Sequence, residues 1–118
     1  SWYKSLLYPK TVAIIGASTR EGSIGHQLVK SIIENGYKGK IYPVNPKYTS
    51  ILGLKCYKNI KEVPQQIDLA IISIPAKYTP NIIREAAGKL KTAIVISAGF
   101  RLLYTSDAAD EGLGVDLG

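Results

Sequence analysis

Apolar residues fall along this chain in short runs, each closed by a small or polar turn. "TVAIIGAS" (Thr11 to Ser18) is a continuous apolar run ending at Gly16, which predicts a buried parallel strand feeding a tight turn. In "GSIGHQLVKSIIENG", Ile24, Leu28 and Ile32 recur every four residues, and Val29 and Ile33 widen the stripe. That spacing predicts an amphipathic helix closed by Asn35-Gly36. "KIYPVNP" (Lys40 to Pro46) predicts a second strand, placed at a sheet margin by Pro43. The stretch from 47 to 66 reads as irregular, with one helical turn at Asn59 to Val63. "IDLAIISIP" (Ile67 to Pro75) is almost wholly apolar and predicts a strand buried on both faces. "YTPNIIREAAGKL" predicts a helix with Thr79 as N-cap and Pro80 at its first position. "KTAIVISAGF" predicts a fourth strand.

Strand, helix, strand, short connection, strand, helix, strand is the order of a βαβ unit with right-handed crossovers. The predicted fold is α/β: a Rossmann-like parallel sheet with helices on both faces, truncated at the C-terminus. The periodicity stops after Phe100. Residues 1–100 carry 14 Lys and Arg against 5 Asp and Glu, whereas 101–118 carry 1 against 4. The expected division is therefore a body over 1–100 and a tail over 101–118 that is non-native or disordered. "LLYTSDAADE" within the tail resembles the translation of a sequencing-adapter oligonucleotide. A natural disordered linker is the other reading of that composition.

The 118 residues, 46% hydrophobic and 20% charged, suit one globular domain with one core. No apolar run nears the roughly 20 residues of a membrane span, and "SWYKSLLYPK" lacks a signal-peptide core. Cys56, alone, permits no internal disulfide and suits a reducing, cytoplasmic setting. The chain has no Met and starts at Ser1, so either an initiator Met was trimmed or this is a piece of a longer protein, and the rest of the sequence favours the piece. The excess of 14 cations over 5 acids in residues 1–100 points to an anionic ligand or partner, or to a solvated lysine-rich surface. The lysines are scattered, so neither a nucleic-acid partner nor a membrane is expected.

Ligands of open parallel sheets sit beyond the carboxyl ends of the strands. Those ends are Gly16-Ala17-Ser18, Val44-Asn45-Pro46-Lys47, Ser73-Ile74-Pro75-Ala76 and Ser97-Ala98-Gly99. Gly16 permits close backbone approach. Gly22, Ser23 and Ile24 begin a helix whose free N–H groups can meet a phosphate. Ser18 and Ser23 can donate hydroxyls, and Arg20 adds full charge. An ordinary strand-to-helix turn is the plainer alternative. "VAIIGASTREGSIG" departs from the dinucleotide fingerprint G-x-G-x-x-G, because Ser18 replaces its second glycine and the later glycines come late. Ser18-x-x-Glu21 matches a capping box, but two glycines follow and the apolar stripe starts only at Ile24. No acid lies between Glu34 and Glu62 to hold ribose hydroxyls, and Asn45 and Lys47 stand there instead. A cation at that point suits a phosphorylated ribose, as in NADP or coenzyme A. His26 has no partner in the sequence for a catalytic role. No metal-ligand spacing, nucleophile elbow or Walker loop occurs.

Together, "VAIIGAS…GSIG", "GYKGKIYPVNPK", "ILGLKCYKNIKEVP", "IDLAIISIPA" and "AIVISAGF" resemble the CoA-binding domain of NDP-forming acyl-CoA synthetases, over residues 7–100. The fold also opens the more distant alpha subunit of succinyl-CoA synthetase. The resemblance implies coenzyme A as ligand. Gly16, Ala17, Ser18, Arg20, Gly22, Ser23 and Ile24 would face its phosphates. Asn45, Pro46 and Lys47 would hold the ADP half, with Lys47 on a phosphate. Ile74, Pro75 and Ala76 would wall the pantetheine or adenine, and Ile96, Ser97 and Ala98 would line the arm toward the thiol. In the family, ligation passes through a phosphohistidine on a following domain, and an ATP-grasp domain holds the nucleotide. His26 does not match that motif, so this chain is expected to have no catalytic residue and no metal. ATP or ADP and Mg are expected only on the missing C-terminal domains or subunit. The alternatives are a stand-alone or acetyltransferase-linked CoA or nucleotide sensor, and an NADP-binding dehydrogenase domain.

Overall fold

A computed structural model describes residues 2–96, 100–105 and 115–116. A short helix α1 (Trp2–Leu7) precedes β1 (Thr11–Ile15), α2 (Ile24–Glu34) and β2 (Lys40–Val44). A hairpin of β3 (Ser50–Ile51) and β4 (Leu54–Lys55) follows, then β5 (Ile67–Ile72), α3 (Thr79–Glu85) and β6 (Leu90–Ile96). The main sheet runs β2-β1-β5-β6, all parallel. β2 is its edge, where Pro43 belongs. Two antiparallel strands extend the other side: β7 (Phe100–Thr105) against β6, and β8 (Val115–Asp116) against β7. Both fall mostly in the segment that the sequence reading set aside, and they make the sheet mixed.

Side chains alternate across the sheet with period two, and both faces are covered. Val12, Ile14, Leu69 and Ile94 lie on one face, packed with Val29, Leu28 and Ile32 of α2 and Leu6 of α1. Ala13, Ile15, Ala70, Ile72 and Val95 lie on the other, packed with Ile82 and Ile83 of α3 and with Ile60. Each fully buried Ile or Val contributes about 1.5–3 kcal/mol.

Several elements depart from the periodicity. The hairpin β3–β4 occupies part of the stretch read as irregular, and α1 occupies the N-terminal patch that predicted no element. The single turn at Asn59 to Val63 is present as a 3-10 turn over Ile60–Glu62. Thr79 is not the N-cap of α3. A 3-10 turn over Ala76–Tyr78 runs directly into the helix, so Thr79 is already helical (φ −61°, ψ −43°). Its hydroxyl is buried without a hydrogen-bond partner. On α2 the buried residues are Gly25, His26 and Val29, while Ile24 and Ile33 are 55% and 40% exposed. Close packing of Gly25 onto the Gly16 carbonyl rotates the helix so that Ile24 leaves the stripe.

Candidate functional site

β1 ends where the chain must pass between its neighbours. Gly16 donates its N–H to the Val44 carbonyl (3.0 Å), and Ser73 donates its N–H to the Ile15 carbonyl (2.8 Å). Gly16 has φ +95°, and an added Cβ would run into the Ser73 carbonyl. Only glycine fits that turn without strain. The first turn of α2 then packs on the same point, because a Cβ at Gly25 would strike the Gly16 carbonyl. Two glycines thus bring three backbone segments together at the sheet edge.

Around this point opens a cleft of about 650 Å³. Its first wall is the β1–α2 loop, with Gly16, Ser18, Arg20, Gly22, Ser23 and Ile24. Facing it are Asn45, Lys47 and Tyr48 after β2, and Ser73, Ile74 and Pro75 after β5, with Ile96 at the end of β6. The cleft wall carries two cations, Arg20 and Lys47, and no acid among the described residues. A second trough of about 570 Å³ shares Gly16, Asn45, Lys47, Ile74 and Pro75 with the first. Pro46 lines this second trough, and Ile60, Tyr78 and Ile82 give it an apolar floor.

Hydrogen bonds show which polar groups are already engaged. Ser23 caps α2: its Oγ accepts the His26 N–H (3.2 Å) and donates to the Arg20 carbonyl (2.7 Å). Ser18 Oγ accepts the Arg20 N–H (2.9 Å) and lies 3.3 Å from the Tyr48 hydroxyl. Hydrogen bonds from Ser18 and Thr19, helped by the nearby charges of Lys47 and Arg20, pull the Tyr48 phenol below its usual range. Asn45 Nδ2 donates to the Ala17 carbonyl (2.8 Å), and its Oδ1 accepts the Lys47 N–H (2.9 Å). That one amide ties the first loop to the turn that presents Lys47. No group of three His, Cys, Asp or Glu able to hold a metal occurs among the described residues. Nor is any described helix long and apolar enough to cross a membrane.

The strand-end candidates therefore mostly meet in one place, with exceptions. The Ala17 side chain is fully buried in the core beneath the loop. Ala76 starts the 3-10 turn before α3 and lines neither hollow among the residues described there. Ser97 and Ala98 lie outside the described residues. The sequence reading missed Gly25 and Tyr48, and named Ser73 at a strand end without assigning it to the ligand. A tyrosine directly after the Asn-Pro-Lys turn was the available signal for Tyr48.

Residues 10–113 match the family described as CoA binding domain. This chain belongs to the CoA-binding domain family. An ADP-forming acetate–CoA ligase of Archaeoglobus fulgidus is 48% identical over 98 residues, covering 82% of this chain and 15% of that protein. The alpha subunit of an ADP-forming acetate–CoA ligase of Pyrococcus furiosus is 44% identical over 102 residues, covering 82% and 22%. Among solved structures, a dinucleotide-forming acetyl-coenzyme A synthetase of Ca. Korarchaeum cryptofilum superposes with a TM-score of 0.78 at 37% identity. The superposition covers 82% of this chain and 21% of that one. The chain thus spans between a seventh and a quarter of these relatives' lengths.

Proposed function

We propose that this CoA-binding domain holds coenzyme A across the strand-end edge and serves an ADP-forming acyl-CoA synthetase, with acetate as the acid. The observation that carries the reading is the pairing of Arg20 and Lys47 across a glycine-built cleft whose described wall contains no acid. Such a cleft suits the phosphates of CoA. The glycine cradle allows backbone approach, and the start of α2 adds partial positive charge. The adjoining trough, floored by Ile60, Tyr78 and Ile82, suits the flat adenine. Lys47 lines both hollows, where it would meet the 3′-phosphate of the ADP half. Ile74 and Pro75 would wall the ligand between them, and Ile96, with Ser97 and Ala98 beyond it, would follow the pantetheine arm.

Coenzyme A supplies the thiol that accepts the acyl group. This chain's own residues bind and orient it. On this reading the acyl transfer itself falls to further domains or a subunit. A reducing, cytoplasmic setting fits the free, buried Cys56.

Calorimetric titration with CoA, dephospho-CoA and NADP tests this reading. CoA should bind most tightly. Removing the 3′-phosphate should weaken binding about tenfold, the lower range for a charge-assisted bond because Lys47 is exposed. Lys47→Ala should close most of that gap. Absence of CoA binding, or tighter binding of NADP, would overturn the assignment.

A further inference from the structure

His26 is the sole histidine of the chain, and it is buried at the start of α2. Its Nδ1 lies 3.1 Å from the Ser18 carbonyl oxygen. A carbonyl oxygen can only accept, so Nδ1 carries the proton and donates. In the neutral ring, Nε2 is then the bare nitrogen. One residue earlier in the loop, Asn45 Nδ2 donates to the Ala17 carbonyl at 2.8 Å. Two consecutive carbonyls of the β1–α2 loop are therefore held by side chains from two different segments.

We propose that His26 is a positioning residue of the ligand-binding loop, acting through the Ser18 carbonyl, with Asn45 as its counterpart on Ala17. In a trans peptide the C=O and N–H point in opposite directions. Turning the Ser18 carbonyl toward His26 fixes the Thr19 N–H away from it. Turning the Ala17 carbonyl toward Asn45 fixes the Ser18 N–H in the same way. Arg20 follows, because its N–H donates to Ser18 Oγ (2.9 Å). His26 thus sets where the Ser18 hydroxyl and the Arg20 backbone stand, and it does not itself line the cleft. An apolar side chain of similar size would fill the site but leave the Ser18 carbonyl unanchored, and the loop would lose its fixed plane.

The affinity part of the test rests on the CoA reading, and the other parts do not. Nitrogen-15 NMR of the wild-type ring should show the Nδ1–H tautomer. His26→Leu should speed amide hydrogen exchange at Arg20 and weaken CoA binding about three- to tenfold, the worth of one hydrogen bond. His26→Asn places an amide donor where Nδ1 stands, and should restore both. An Nε2–H tautomer would overturn the proposal. So would a leucine variant that matches the wild type, or an asparagine variant no better than leucine. If the leucine variant fails to fold, the wild-type tautomer and the asparagine variant still decide. If the wild type shows no CoA binding, the functional assignment falls, while tautomer and Arg20 exchange still rule on His26.

Discussion

At Gly16 the backbone turns with φ +95°, and a methyl group there would meet the Ser73 carbonyl. Both the conformation and the space exclude other residues. Gly16→Ala should therefore destabilise the fold by about 2–3 kcal/mol in urea denaturation, a large value for a single methyl. The apolar run ending in glycine made this position legible. The neighbouring residues were less so. Ser18 and Ser23 look alike as hydroxyl donors in the sequence, yet Ser23 is engaged as the α2 cap while Ser18 faces Tyr48. Which hydroxyl remains for a ligand depends on where the helix begins, and periodicity does not fix that to the residue.

The β3–β4 hairpin shows the same limit at the scale of an element. Its two-residue turn is Leu52-Gly53, with φ +50° and +82°. Two left-handed residues are what a tight hairpin turn requires, and a leucine there is strained. Asn-Gly would have announced the hairpin, whereas Leu-Gly hid it. Leu52→Asn should raise stability by about 0.5–1 kcal/mol, read as a higher melting temperature, since Leu52 is 47% exposed and gives up little packing. The start of α3 was misplaced for a related reason. Thr79-Pro80 carries a sound start signal, but the preceding 3-10 turn donates Tyr78 N–H to the Pro75 carbonyl (3.0 Å) and begins the helical path early.

Across the molecule, burial acts on several weak acids in one direction. Burial raises the Tyr37 phenol, with Asp68 adding to it, and the Tyr42 phenol, with Tyr57 adding to it. Burial also raises the Cys56 thiol, partly offset by its backbone hydrogen bond at Asn45. Each of these folded pKa values lies above its unfolded one. Their contribution to stability is full below the ordinary values of 9.0 for the thiol and 10.0 for the phenols, and is lost as pH rises through the folded values. Tyr48 opposes them, because its lowered pKa favours the folded state above its folded value. Each raised group pulls the urea midpoint down as pH rises through its folded value, and Tyr48 pulls it up. Above pH 10.0, the ordinary phenol value, Tyr42→Phe should therefore lose less stability than the wild type. A variant whose midpoint follows the wild-type pH dependence would contradict it.

The sequence by itself determined the four parallel strands, the two longer helices, the margin position of Pro43 and the edge of the sheet where the cleft forms. These follow from local causes: period, turn residues and the covering of both sheet faces. Tertiary structure alone decided which strand-end residues face that cleft. It buried Ala17, turned Ile24 outward and brought in Gly25, Tyr48 and Ser73. It also committed Asn45 and His26 to backbone carbonyls. The reason is geometric. Those outcomes depend on the register of β1 against β2 and β5, and on how closely α2 can approach Gly16. Both are set by contacts between residues far apart in the chain, which no local pattern encodes.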